Sequence, residues 1–214
     1  GFDGGAIEID GGTVTIDNTE FKDNVADDDG GALEINGATV TVKNSQFTNN
    51  EAQNQAGGAI RVRGGSTLIV EDSTFTANFS STDDGGALSV EDASTTATVR
   101  RSTFSKNYSE DDGGAFHIDD LARLTLDEVV VSENYTQDDD GGAAWVGQGG
   151  ELIIENSRLE LNVADSAAGG VWLDQNGSLT VRNSIFLDNS DEGIYADQSS
   201  TVVVEQTTIS DHSD

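Results

Sequence analysis

The sequence predicts an all-β fold: a right-handed parallel β-helix of about eight coils, each with three short strands. The first observation is a recurring kernel of two glycines, a small residue and an apolar one. It reads Gly4-Gly5-Ala6-Ile7, Gly30-Gly31-Ala32-Leu33, Gly57-Gly58-Ala59-Ile60, Gly85-Gly86-Ala87-Leu88, Gly113-Gly114-Ala115-Phe116 and Gly141-Gly142-Ala143-Ala144. Looser copies follow at Gly169-Gly170-Val171-Trp172 and Glu192-Gly193-Ile194-Tyr195, and the first six steps are 26, 27, 28, 28, 28 and 28 residues. The second is an apolar-x-x-Asn motif in constant phase, from Phe21-x-x-Asn24 through Phe47, Phe75, Phe104, Val131 and Leu159 to Phe186-x-x-Asn189, with Ile209-x-x-His212 closing the series. The third is an alternating triplet between the two, as in Val14-Thr15-Ile16, Val40-Thr41-Val42 and Leu68-Ile69-Val70. Self-similarity at a fixed period of this size marks a solenoid, whose units are too thin to hold a core alone. Residues 1–214 therefore read as a single domain.

Each element follows from its pattern. The kernel leads into a strand with Ile7 and Ile9 inward and Glu8 outward, since alternation at period two places successive side chains on opposite faces. The triplet forms the second strand, and the segment at Phe21 the third. Expected core columns are Ile7, Leu33, Ile60, Leu88 and Phe116; Ile16, Val42, Val70, Val99 and Leu126; and the Phe21 series. The glycines supply positive φ or crowded backbone where the chain turns. Asn18, Asn44, Asp72, Asn156 and Asn183 mark one turn, and the series from Asn24 to Asn189 another. Stacked about 4.8 Å apart, these amides can hydrogen-bond along a ladder. Eight coils at that rise span about 38 Å.

Charge limits function. Forty acidic and ten basic residues give a net charge of −30. Nucleic acid is excluded as a partner, because phosphate binding needs clustered Lys and Arg. No run nears the roughly 18 apolar residues of a membrane span, so membrane insertion is not expected. The chain has no Cys and only three Lys against seven Arg, and its carboxylate-rich balance resembles proteins of salt-loving organisms or of calcium-bathed extracellular spaces.

The pairing of Gly-Gly-Ala-Ile with Phe-x-x-Asn resembles the repeats of the chlamydial polymorphic membrane proteins, within the broader pectate-lyase-like β-helix class. The resemblance runs from Gly4 to about Asn189. It implies a surface-exposed passenger used in adhesion.

Two groups of residues are candidates for function. Acidic loops precede several kernels: Asp27-Asp28-Asp29, Asp83-Asp84, Asp111-Asp112 and Asp138-Asp139-Asp140. Like charges stacked roughly 5 Å apart repel by about 1 kcal/mol per pair even in water, so bound calcium or diffuse cations are expected. The Asp138–Asp140 loop, stacked on Asp111 and Asp112, is the expected best site. The second group is the outward column of the first strand, ending in His117, Trp145, Trp172 and Tyr195 once a one-residue slip is allowed in the last coils. As an exposed aromatic strip it would suit sugar rings or a protein partner. Glu8, Glu34, Arg61 and Arg63 lie on the same face, but no nucleophile triad or zinc site is visible. Outward Thr pairs such as Thr13 and Thr15 suggest ice binding, although Ile69, Arg123, Glu151 and Ile153 interrupt the array. Asn78, Asn107, Asn134 and Asn176 open N-x-Ser/Thr sequons, of which only Asn176 lies off the ladder.

The expected function is a non-enzymatic extracellular or cell-surface element, structural or adhesive, with polysaccharide binding or cleavage as the alternative. Gly1-Phe2-Asp3 opens directly into a kernel, and the chain stops at Ser213-Asp214 where the next acidic loop would start. Further coils, or copies stacked end to end, are therefore expected partners.

Overall fold

The computed structural model describes residues 3–197 and 199–213. Gly1, Phe2 and Asp214, to which the end-to-end expectation appeals, lie outside them. The described chain is a β-helix whose strands pair in parallel, each with its equivalents in the adjoining coils. Kernel strands run from Ile60–Arg63, Leu88–Val90 and Phe116–Ile118 to Ile194–Ala196, and second strands from Thr67–Glu71 to Thr201–Glu205. Phe strands such as Gln46–Thr48 and Thr74–Thr76 form a separate eight-stranded sheet.

Two details differ from expectation. A fourth, two-residue strand follows the ladder Asn in six coils, as at Phe79–Ser80 and Tyr108–Ser109, giving a third sheet. In the first two coils the kernel and second strands fuse into single strands, Ile7–Asp17 and Leu33–Lys43. Gly11, Gly12 and Gly37 carry the chain through positive φ there, where later coils insert a longer turn. Both strand sets thereby share one sheet.

Register explains the core. Phe21, Phe47, Phe75 and Phe104 are paired residues on successive coils. Their rings stack at 4.7, 4.5 and 4.3 Å, within 10° of parallel. Coil spacing imposes this face-to-face geometry, which free aromatic pairs avoid by offset or tilt. The Phe, Leu and Val columns are buried, but Ile7 is 39% exposed and Val202 and Ile209 are also exposed. These belong to the first and last coils, which among the described residues are covered by a coil on one side.

The turns are held by side chains. From Asn24 to Asn162, each Nδ2 donates to the Oδ1 of the next coil's Asn at 2.8–3.0 Å. From Asn50 onward it also donates to a Phe-strand carbonyl of the previous coil, for example Phe75 O from Asn107 at 3.2 Å. Each Oδ1 accepts the backbone N–H of the previous Asn as well. Three polar atoms per coil are thus satisfied inside a buried turn. A second ladder, unforeseen from the sequence, runs through Ser45, Ser73 and Ser102, whose Oγ atoms accept a backbone N–H from the coil before. The preceding Asn44, Asp72 and Arg101 all have φ near +50°, a region Asn and Asp tolerate better than other side chains.

The kernel needs both glycines. Gly30 has φ +53°, and a Cβ on Gly31 would overlap the Gly58 carbonyl oxygen of the next coil. Removing one rung of the ladder should be costly: Asn107→Ala removes the acceptor of the Asn78 N–H and of one Asn78 amide hydrogen, and the amide donors to Phe75 O and Asn134 Oδ1. It should destabilise the fold by about 3 kcal/mol, from the usual cost of buried unsatisfied groups. Urea denaturation checks this, and a loss below about 1 kcal/mol would show that the ladder is dispensable.

Candidate functional site

The outward column of the kernel strands is Glu8, Glu34, Arg61, Ser89, His117, Trp145, Trp172 and Tyr195, each paired with the next. The slip in the seventh coil comes from the kernel itself. Gly141 N–H bonds to Ala167 O and Gly142 N–H to Ala168 O, so Ala168, at φ +51°, stands where earlier coils have their first glycine.

The acidic turns fold onto this column, which corrects the expectation of an exposed strip. His117 and Trp145 are buried, at 5% and 8% exposure. Their rings stack at 4.9 Å, and the Trp145 indole occupies the space a Cβ on Gly147 would need. Trp172 is half-buried and Tyr195 exposed. These two stack at 4.1 Å and 5°, so they spend ring faces on each other.

Beneath the first turns lies a chain of ion pairs. Arg61 holds Glu91 through two hydrogen bonds, Nε to Oε1 at 3.1 Å and Nη2 to Oε2 at 2.6 Å, and pairs with Asp29 through Nη1. Arg63 Nε donates to Glu34 Oε1 at 2.6 Å, and its Nη2 lies 3.6 Å from Asp29. Asp29 is therefore an internal ion-pair partner, unlike the exposed Asp27 and part-buried Asp28 of the same expected cation-binding loop. Burial pushes the Glu34 carboxyl up to about 7 despite Arg63, and its Oε2 has no hydrogen-bond partner. Burial would also raise Glu91, but the Arg61 contacts outweigh it and hold it below the usual range.

The chain continues into a Ser-His-Asp series that sequence reasoning missed. Ser89 Oγ lies 3.3 Å from His117 Nδ1, and His117 Nε2 lies 3.2 Å from Asp84 Oδ2. The series is not arranged for attack. Ser89 is wholly buried and its hydroxyl donates to Glu91 Oε1 at 2.5 Å, so its proton is directed at a carboxylate rather than at the imidazole. Burial also lowers the His117 pKa. No cavity opens among the described residues.

Register leaves the later carboxylates without cations. Asp29 meets Arg61, and Asp84 meets His117. The positions equivalent to Arg61 and His117 opposite Asp112 and Asp140 are Trp145 and Trp172. Asp112 instead accepts the Asp140 backbone N–H at 3.1 Å, and its own N–H donates to Asp84 Oδ1 at 2.9 Å. Burial, then the Asp84 charge, raise Asp112 to about 8. Asp83 and Asp84 rise to about 6, mainly through burial. Carboxylate oxygens of Asp83, Asp84 and Asp111 lie within 4.8 Å of one another. The tightest acidic grouping is thus one coil before the expected loop, whose Asp138 and Asp139 point into solvent.

Together these features define a parallel β-solenoid with a closed outer face and an acidic edge. A family model described as a right-handed β-helix region matches residues 1–159 and 127–214, and the chain belongs to that family. The family holds both enzymes and non-enzymes. No curated protein and no solved structure matches the chain.

The raised carboxyls set a pH dependence. Groups with higher pKa in the fold than in the unfolded chain make the native state bind more protons, so stability falls as pH rises through the folded values. In chelator, the protein should melt lower at pH 8 than at pH 5.5, by on the order of 1 kcal/mol or more per group. Asp112→Asn should flatten that slope. Melting curves across this range test it, and a slope of opposite sign would refute the assignment.

Proposed function

We propose that the chain is a non-enzymatic extracellular or cell-surface β-helix, a structural or adhesive rod whose acidic edge is stabilised by calcium. The observation that carries this reading is the closed outer face: the polar groups of the kernel column bind one another under the acidic turns, and no cavity opens among the described residues. The cation component is supported by Asp83, Asp84 and Asp111, whose oxygens converge beside the buried His117 imidazole, which is 3.2 Å from Asp84 Oδ2. Hard oxygen donors of this kind suit calcium.

Calcium at about 100 times its dissociation constant would add about 2.7 kcal/mol, or roughly 5–10 °C in melting temperature for a chain of this size. Melting in chelator and in millimolar calcium at fixed ionic strength measures this, and Asp84→Asn with Asp111→Asn should abolish the gain. Equal melting temperatures would reject specific calcium. Turnover of an acidic or neutral polysaccharide, lost in Glu34→Gln or His117→Ala, would overturn the non-enzymatic reading.

The half-exposed Trp172–Tyr195 pair favours a second reading, glycan binding without cleavage. Polysaccharide affinity should then fall at least tenfold in Trp172→Ala, by analogy with the cost of losing an aromatic anchor. Unchanged affinity would exclude the pair as a binding element.

A further inference from the structure

We propose that Asn176 is an N-glycan acceptor, and the one sequon of four at which the folded protein can carry a glycan. The proposal rests on the reading that the chain is exported. The sequons at Asn78, Asn107 and Asn134 are sealed by the fold. All three asparagines are fully buried, and both Nδ2 hydrogens are committed, one to the next ladder Oδ1 and one to a carbonyl of the previous coil. A sugar on Nδ2 would replace one of those hydrogens and need space where none exists. A chain modified there would lose the rung and the stacking around it.

Asn176 is built differently. It sits at the tip of the turn Asp174–Gly177, closed by one hydrogen bond from Gly177 N–H to Asp174 O at 2.8 Å. Gln175 and Asn176 have φ of +45° and +70°, the signature of a type I′ turn whose two central side chains radiate outward. Asn176 is exposed, and among the described residues its amide has no hydrogen-bond partner. A glycan there removes no contact of the core or ladders. Gly177 is fixed by packing, since a Cβ would overlap the Val146 carbonyl oxygen, and Ser178 opens the following strand with its N–H on Gly150 O at 2.9 Å.

The co-substrate is an oligosaccharide joined through its anomeric carbon to a lipid phosphate. Asn176 Nδ2 attacks that carbon, and the carbon–oxygen bond to phosphate breaks as the nitrogen–carbon bond forms. The lipid phosphate leaves with the electron pair, and the proton lost from Nδ2 passes to a base of the transferase. Bulky glycans of this type sit on surface loops and add solubility.

The test is secretion of the full chain from a eukaryotic cell behind an added signal peptide, followed by mass analysis of folded, protease-resistant material. The expected result is one glycan, released by an amidase that leaves Asp at position 176, and lost in both Asn176→Gln and Ser178→Ala. Two variants with intact ladders guard against misfolding as the cause. Folded wild-type protein without a glycan at Asn176, or with one on Asn78, Asn107 or Asn134, would overturn the proposal. Because export is imposed by the added signal, these outcomes are independent of where the chain naturally resides.

Discussion

Parallel pairing in register is the constraint on which the rest of this molecule depends. Each residue stacks on its equivalent one coil away, at a strand spacing of about 4.8 Å. A choice made at one position is therefore repeated along a column. Apolar columns gain from this, because every ring or branched chain finds a matching neighbour. Amides and hydroxyls gain as well, since a group with both donor and acceptor can bond to its own copy above and below. The Asn and Ser ladders are that solution at two turns. Carboxylates can only repel their copies, and they are the residue type this chain uses most freely on its edge.

The outer face manages that conflict with alternation. After the Glu8 and Glu34 pair at its start, the column passes through Arg61, Ser89 and His117, so no further acid stacks on an acid there. Glu91 and Asp29 are drawn to Arg61, and Asp84 to His117. Where the column changes to Trp145 and Trp172, the compensation ends and the acidic turns continue. Asp112 is the result: a carboxyl held among carboxylates, with backbone N–H as its partner. With the Asp112 carboxyl pushed up to about 8, protonation relieves this below that pH, and a divalent cation would relieve it above.

Much of this was legible before any coordinates. The kernel glycines, the Phe column and the Asn ladder are fixed by local steric and hydrogen-bond needs that repeat eight times, so the period exposed them. The Ser ladder was missed because a lone Ser after a turn carries no signal until its Oγ is seen facing the previous coil's N–H. The slip expected in the last coils has its cause in the seventh kernel, where the backbone puts Ala168, one residue before Gly169-Gly170, in the positive-φ place. Burial of His117 and Trp145 was not legible either. Alternation tells which side of a strand a residue occupies, but not whether a turn from the neighbouring coil lies over that side. The fate of Asp29 has the same cause: its composition suggests a cation ligand, and only tertiary placement brings Arg61 and Arg63 to it.

The Ser89–His117–Asp84 series shows why connectivity outweighs proximity in reading such a face. All three groups lie within hydrogen-bonding range of a nucleophilic relay, yet catalysis needs the serine proton to move toward the imidazole as the oxygen attacks. Here the strongest acceptor near Ser89 is Glu91, itself fixed by two bonds from Arg61. Moving the proton to His117 would mean breaking a short bond to a carboxylate and charging a buried ring whose pKa burial already lowers. The same contacts that disable the relay link the acidic turns to the sheet. Arg61 joins Asp29 of one turn to Glu91 of another, and His117 joins Asp84 to Ser89. The polar residues of this face therefore act as ties between coils, doing outside the barrel what the Asn ladder does at its corner.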